Sequence, residues 1–181
     1  MALALVYCLA VIKTQKIGRQ KLGLCADNFL VSLKELLLPT IFFLVIIWVG
    51  LKYIPWVTSL LNIKALDELS NILVKKGSFL SFVIIYSLLS VPLQEFIFRG
   101  FYLSRLELVS KNRLFLIFYS ALIFMLIHTP FKSIPLDIGA FILGLWWADN
   151  FLRYRNLFSI VLIHLFVGGL FDYLVISLIG L

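Results

Sequence analysis

Of the 181 residues, 62% are hydrophobic and only 14% are charged, against about 25% charge in a soluble domain, and the mean hydropathy is +1.08. A water-soluble fold of this length cannot hide that much apolar surface, so composition excludes a soluble globular domain and points to one integral membrane domain over 1–181. The net charge of +7 fits lysines and arginines in loops facing anionic lipid, and no basic run is interleaved with stacking aromatics outside the apolar stretches, so membrane lipids are expected as partners and nucleic acid is not.

A membrane span takes about 20 mostly apolar residues. Taken in chain order, residues 1–12 form a short apolar segment with no basic stretch before it and no small-residue cleavage site after it, so a first helix is expected rather than a signal sequence. Stretch 13–34 carries Lys13, Lys16, Arg19 and Lys21 and reads as an amphipathic segment lying at the interface. Further spans are expected at 36–55, 79–94, 114–131, 134–152 and 157–181, with a charged surface loop over 62–78. No apolar run alternates with period two, so strands are not expected. The fold class is therefore all-α: a polytopic transmembrane helical bundle of about six spans in the cell membrane, with an amphipathic interfacial segment near the N-terminus. Cys8 and Cys25 form no Cys-X-X-Cys and carry no metal signal.

If all six spans cross, loops 13–34, 99–113 and 153–155 share a side and hold 11 Lys and Arg, whereas the opposite loops hold 5. The positive-inside rule makes the richer side cytoplasmic.

Ionisable groups inside apolar spans are costly and are functional candidates by default. They occur in Gln94-Glu95-Phe96-Ile97-Phe98-Arg99-Gly100, at His128 in Phe124-Met125-Leu126-Ile127-His128, at His164 followed by Gly168 and Asp172, and at Asp137 and Asp149 near the ends of one span. A lone membrane histidine usually does no more than hydrogen-bond between helices; two of them beside a Glu/Arg motif favour a site. Glu95 and Arg99 are four residues apart and share a helix face, so they can pair. In a hairpin turning near Asn112, Glu95 lies 17 residues before the turn and His128 lies 16 after it. At about 1.5 Å per residue both arrive roughly 25 Å from the turn. A core about 30 Å thick then places them in the extracytoplasmic half, with the cleft opening that way. Between His164 and Asp172, depth alone does not decide which joins them.

These segments resemble the CAAX protease and bacteriocin-processing (CPBP, or Abi) family of glutamic-type intramembrane proteases. The resemblance rests on Glu95-X-X-X-Arg99-Gly100, Phe124-X-X-X-His128 and a later helix bearing His164, with Phe141-X-X-Gly144 and Ser159 through His164 as the approach to the last motif. It covers roughly 79–172, the motif-bearing core. It implies a peptidase acting on a membrane-associated peptide or lipoprotein, without a cofactor. The family's Glu-Glu-X-X-X-Arg motif and its Phe-X-X-X-His histidine activate water, which maps to Gln94 and His128. Glu95 is then the supporting carboxylate, held by Arg99. The His-X-X-X-Asn motif stabilises the oxyanion, which maps to His164 with Gly168 in the asparagine position.

Two positions depart from that pattern. Gln94 replaces the first glutamate, and a carboxamide cannot serve as a base. Gly168 removes one oxyanion donor unless Asp172 or a water substitutes. Three readings follow: Glu95 is the base; the site transfers an acyl group to an amine with His128 as the main base; or the cleft does not hydrolyse and acts as a binding or regulatory partner. Two histidines and a carboxylate could ligate zinc, but His-Glu-X-X-His is missing, so no metal is expected.

Overall fold

The computed structural model describes residues 2–54, 56 and 79–179, and the expected charged loop over 62–78 lies outside them. The described chain is all-α. Helix α1 is Ala2–Thr14, α2 is Phe29–Tyr53 and α3 is Phe79–Glu95; α3 continues through a π-helical stretch, Phe96–Leu103, into α4, Ser104–Val109. Then come α5 (Arg113–Leu126), a 3-10 turn (Thr129–Phe131), α6 (Ile134–Tyr154) and α7 (Leu157–Ile179). Since α3 to α4 is one unbroken rod, the described residues make six rods, in the chain order of the six expected spans. By length and composition only one, Phe29–Gly50, qualifies as a membrane-crossing helix among the described residues, while Leu3–Thr14, Arg113–Leu126 and Leu157–Gly169 are shorter apolar helices.

Local chemistry sets the helix ends. Asn112 caps α5 by accepting from the Phe115 amide at 3.1 Å. Pro135 sits in the first turn of α6, where its missing N–H costs nothing, and Arg155 closes that helix in the left-handed region at φ 50°. The sequence reading extends the α5 span to 131, but the helix stops at Leu126. In a continuing helix the Pro130 ring would strike the Leu126 carbonyl. Thr129 Oγ1 instead donates to that carbonyl at 2.9 Å. His128 therefore lies beyond the helix, in the connection to α6, rather than inside a span.

The core is built where α5 and α6 pack antiparallel. Gly144 permits their contact: a Cβ there would sit 3.1 Å from the Ala121 Cα. Trp147, Phe124, Phe151 and Ile160 are almost fully buried around this seam. A buried polar cluster ties α2 to it, with Ser32 Oγ 2.7 Å from Asn150 Oδ1 and 2.6 Å from Ser159 Oγ.

The expected amphipathic segment over 13–34 is replaced by something else. Helix α1 reaches Thr14, turns occupy the next residues, and α2 begins at Phe29. The turns fold back under the bundle because Leu22 is apolar and buries to 3% exposure. The Leu157 amide donates to the Gly23 carbonyl at 2.9 Å, Leu24 bridges Asn156, and Asn156 Nδ2 donates to the Cys25 carbonyl at 3.1 Å. This strap presses on the motif helix, where a Cβ on Gly100 would come within 2.9 Å of the Leu22 carbonyl oxygen. Contacts of Arg105 with Gln15, Arg155 with Glu107 and Arg113 with Asp149 gather loops 13–34, 99–113 and 153–155 at one end of the bundle, as the charge count groups them.

Candidate functional site

Glu95 is the last residue of α3 and is fully buried, as is Arg99 within the π-helical stretch. Charges this deep must be paired. Arg99 Nε lies 3.3 Å from Glu95 Oε2, and Arg99 Nη1 lies 3.4 Å from Oε1. The closest partner of Glu95 comes from α7: His164 Nδ1 is 2.7 Å from Oε1. One carboxylate thus receives a guanidinium from its own rod and an imidazole from the last helix.

Phe124 organises the remainder. The Arg99 guanidinium carbon stands 3.7 Å over its ring and 5.6 Å from that of Trp147, stacking that offsets part of the cost of burying the cation. The rings of His128 and His164 lie 4.8 and 5.6 Å from the Phe124 ring, and His164 is 4.8 Å from Trp147. Both imidazoles therefore rest on the same phenyl group. His128 Nδ1 lies 2.7 Å from the Phe124 carbonyl oxygen. A carbonyl only accepts, so this nitrogen carries the proton, and in the neutral ring Nε2 holds the lone pair.

Glu95, Arg99, His128 and His164 are thus brought together, as the motif spacing anticipates. Gln94 points elsewhere: its Nε2 donates to Ser90 Oγ at 2.7 Å along its own helix, and its Oε1 is buried with no hydrogen-bond partner among the described residues. A Cβ added at Gly168 would meet nothing within 4 Å among the described residues. Asp172 falls on α7, but its side chain lies outside the described residues. Asp149 is not part of the site. It pairs with Arg113 at 2.6 Å and with Arg153 at the charged end.

Sequence reasoning missed Trp147, which walls the site, and the Ser32–Asn150–Ser159 cluster behind it. Asn150 carried a usable signal as a polar residue within a mostly apolar helix, whereas nothing local distinguished Trp147 from a lipid-facing tryptophan. Among the described residues no group of three His, Cys, Asp or Glu is placed to hold a metal ion.

A family model described as type II CAAX prenyl endopeptidase Rce1-like matches residues 76–170, the stretch that contains all four converging side chains. No curated protein and no solved structure matches the chain.

Proposed function

This chain belongs to the Rce1-like family of type II CAAX prenyl endopeptidases, a membrane-embedded protease family, and from that premise we propose that it is a multi-pass intramembrane peptidase of the cell membrane that cuts a membrane-associated peptide or lipoprotein. The observation that carries this reading is that Nδ1 is engaged in both histidines, by the Phe124 carbonyl in one and by Glu95 in the other. Proton exchange with a substrate then belongs to Nε2 in each.

In this reading His128 Nε2 takes a proton from water as the water oxygen adds to the scissile carbonyl carbon. Protonated His164, its charge balanced by Glu95, donates from Nε2 to the oxyanion. As the C–N bond breaks, His128 returns its proton to the leaving nitrogen. Glu95 orients His164 rather than taking the water's proton itself, because it is fully buried and both of its oxygens face Arg99 or His164. Arg99 holds Glu95 in place.

Gln94 favours a second reading, a cleft that binds a membrane peptide without cutting it, since a carboxamide stands where the family motif has a glutamate. The two readings separate on the purified protein in detergent, incubated with a short prenylated peptide or with an acylated lipopeptide plus an amine acceptor and followed by mass spectrometry. The wild-type chain is expected to cleave the prenylated peptide, and Gln94→Glu to cleave it about 10²-fold faster, the lower end of general-base effects. Cleavage by Gln94→Glu alone would establish the binding reading for the natural chain. Acyl transfer without cleavage would replace the peptidase with a transferase.

The cleft is further proposed to open toward the extracytoplasmic half. The gathering of the basic loops at one end supports it, with the site toward the other end of α5. Ser133 is only 3% exposed, so the probe for that end belongs at the exposed Lys132. With Cys8 and Cys25 replaced, a membrane-impermeant thiol reagent on intact cells is expected to label Lys132→Cys and to miss Asn112→Cys. Labelling of position 112 alone would invert the topology and put the site toward the cytosol.

A further inference from the structure

Helix α6 packs tightly on α5 at Gly144, where an added Cβ would sit 3.5 Å from the Phe124 ring and 3.1 Å from the Ala121 Cα. Trp147 follows three residues later, on nearly the same face. The close approach carries its indole past Phe124, at 5.8 Å between ring centres, and into the site, where it is 1% exposed. A buried tryptophan usually finds a partner for its N–H. The Nε1 of Trp147 is buried and has none among the described residues. Ring contacts hold this residue, and what it presents to its neighbours is the aromatic face.

Two basic side chains lie against it. The Arg99 guanidinium carbon stands 5.6 Å over the indole. The His164 ring is 4.8 Å away and tilted by 40°, closer than two rings come edge to edge, so the faces overlap in part. Phe124 meets His164 differently, at 5.6 Å and nearly perpendicular.

Around His164, α3 supplies Glu95, the π-helical stretch supplies Arg99, and His128 comes from the connection after α5. Helix α2 meets α7 through the uncharged pair Ser32 and Ser159, and α6 supplies Trp147. When both ring nitrogens of His164 are protonated, the Glu95 carboxylate has two cations against it, the guanidinium at 3.3 Å and the imidazolium at 2.7 Å. One carboxylate offsets one unit of charge. The face of a buried indole attracts a cation within about 6 Å, and more strongly than a phenyl ring does.

We propose that Trp147 is a positioning residue for cleavage: its ring face, together with Glu95, holds His164 as the imidazolium that hydrogen-bonds the oxyanion. The role rests on the peptidase reading for its purpose and on the ring contacts for its geometry. The proton stays on His164 throughout, and only its hydrogen bond to the substrate oxygen strengthens as charge develops there.

The chain has only two histidines, so both rings can be followed at once. Full-length protein with 15N-labelled histidine in detergent is titrated by NMR, and His128→Gln assigns the two rings. Trp147→Phe and Trp147→Leu both remove the indole's bulk without breaking a hydrogen bond among the described residues, but only phenylalanine leaves a ring face. His164 is expected to titrate at least about half a pH unit lower in Trp147→Leu than in Trp147→Phe, the lower range of cation attraction to a ring, with His128 moving less. With the prenylated peptide, kcat should fall further in Trp147→Leu than in Trp147→Phe, with KM little changed. The alkaline limb of the kcat profile, where His164 loses its proton, should move down with the NMR titration. Equal titration of His164 in the two variants overturns the proposal, as do equal shifts of both histidines, or a kcat profile that stays in place while His164 moves. Should either variant fail to fold, a tetrafluorinated tryptophan introduced at position 147 takes their place. It keeps the indole's shape and cancels the negative charge of its face, so His164 should titrate at least about half a pH unit below the wild type; an unmoved His164 there overturns the proposal. A His164 shift in a protein that cleaves nothing leaves the pairing standing and removes the peptidase reading alone.

Discussion

Arg99→Ala is expected to destabilise the protein by about 3–5 kcal/mol, the range for breaking a buried ion pair by removing one partner. The loss has two parts. Glu95 is fully buried and would lose its guanidinium partner, keeping His164 at 2.7 Å. The stacking of the guanidinium on Phe124 at 3.7 Å would go as well, leaving a gap at the centre of the bundle. The variant should therefore accumulate poorly and melt well below the wild type in detergent. The double variant Glu95→Ala, Arg99→Ala should recover part of the loss, since the carboxylate left without its guanidinium is removed as well, and the non-additivity measures the coupling. An Arg99→Ala protein that melts like the wild type but does not cleave would assign Arg99 to substrate contact instead.

His128→Gln is expected to act on chemistry with little effect on the fold. Glutamine keeps a donor for the Phe124 carbonyl, and position 128 lies in a partly exposed connection rather than inside a helix. It has no nitrogen that can take a proton. Cleavage of the prenylated peptide should fall by about 10²–10⁴-fold, the usual contribution of a general base, with the melting temperature within a few degrees of wild type. His164→Gln should also reduce cleavage, and in addition should lower stability, because it removes the shortest bond to Glu95. Cleavage retained in His128→Gln would move the base to Glu95, the carboxylate that the motif spacing also nominates.

Much of this arrangement was legible from sequence because lipid-soluble helices leave few places for charge. With 14% charged residues, each buried one is conspicuous, and the four-residue spacing of Glu95 and Arg99 sets their pairing through local helix geometry alone. Longer-range features were legible only as possibilities. The depth estimate assumed uniform α-helix, whereas residues 96–103 are π-helical and α5 ends at Leu126. It still brought His128 to the right region, since the connection stays close to the helix end. The choice between His164 and Asp172 depended on the tilt and position of α7, which no local pattern encodes; the structure joins His164 to Glu95. The strap over residues 15–28 was illegible for a related reason. Its two lysines and one arginine announce an interface, but what fixes its path is a buried leucine and main-chain bonds to residues more than 120 positions away.

That separation has a consequence for biogenesis. Leu24 and Asn156 are synthesised far apart in time, and at about 5–20 residues per second the interval is on the order of ten seconds. Throughout it the basic strap has neither the Leu157 amide nor the Asn156 side chain to hold it, and Gly100 lacks its final neighbour. The strap, made well before its partners, is thus among the last segments to reach its native place. The strap and the start of α7 complete each other only after the helices between them have been made, so slowed translation late in the message prolongs the exposure of the strap.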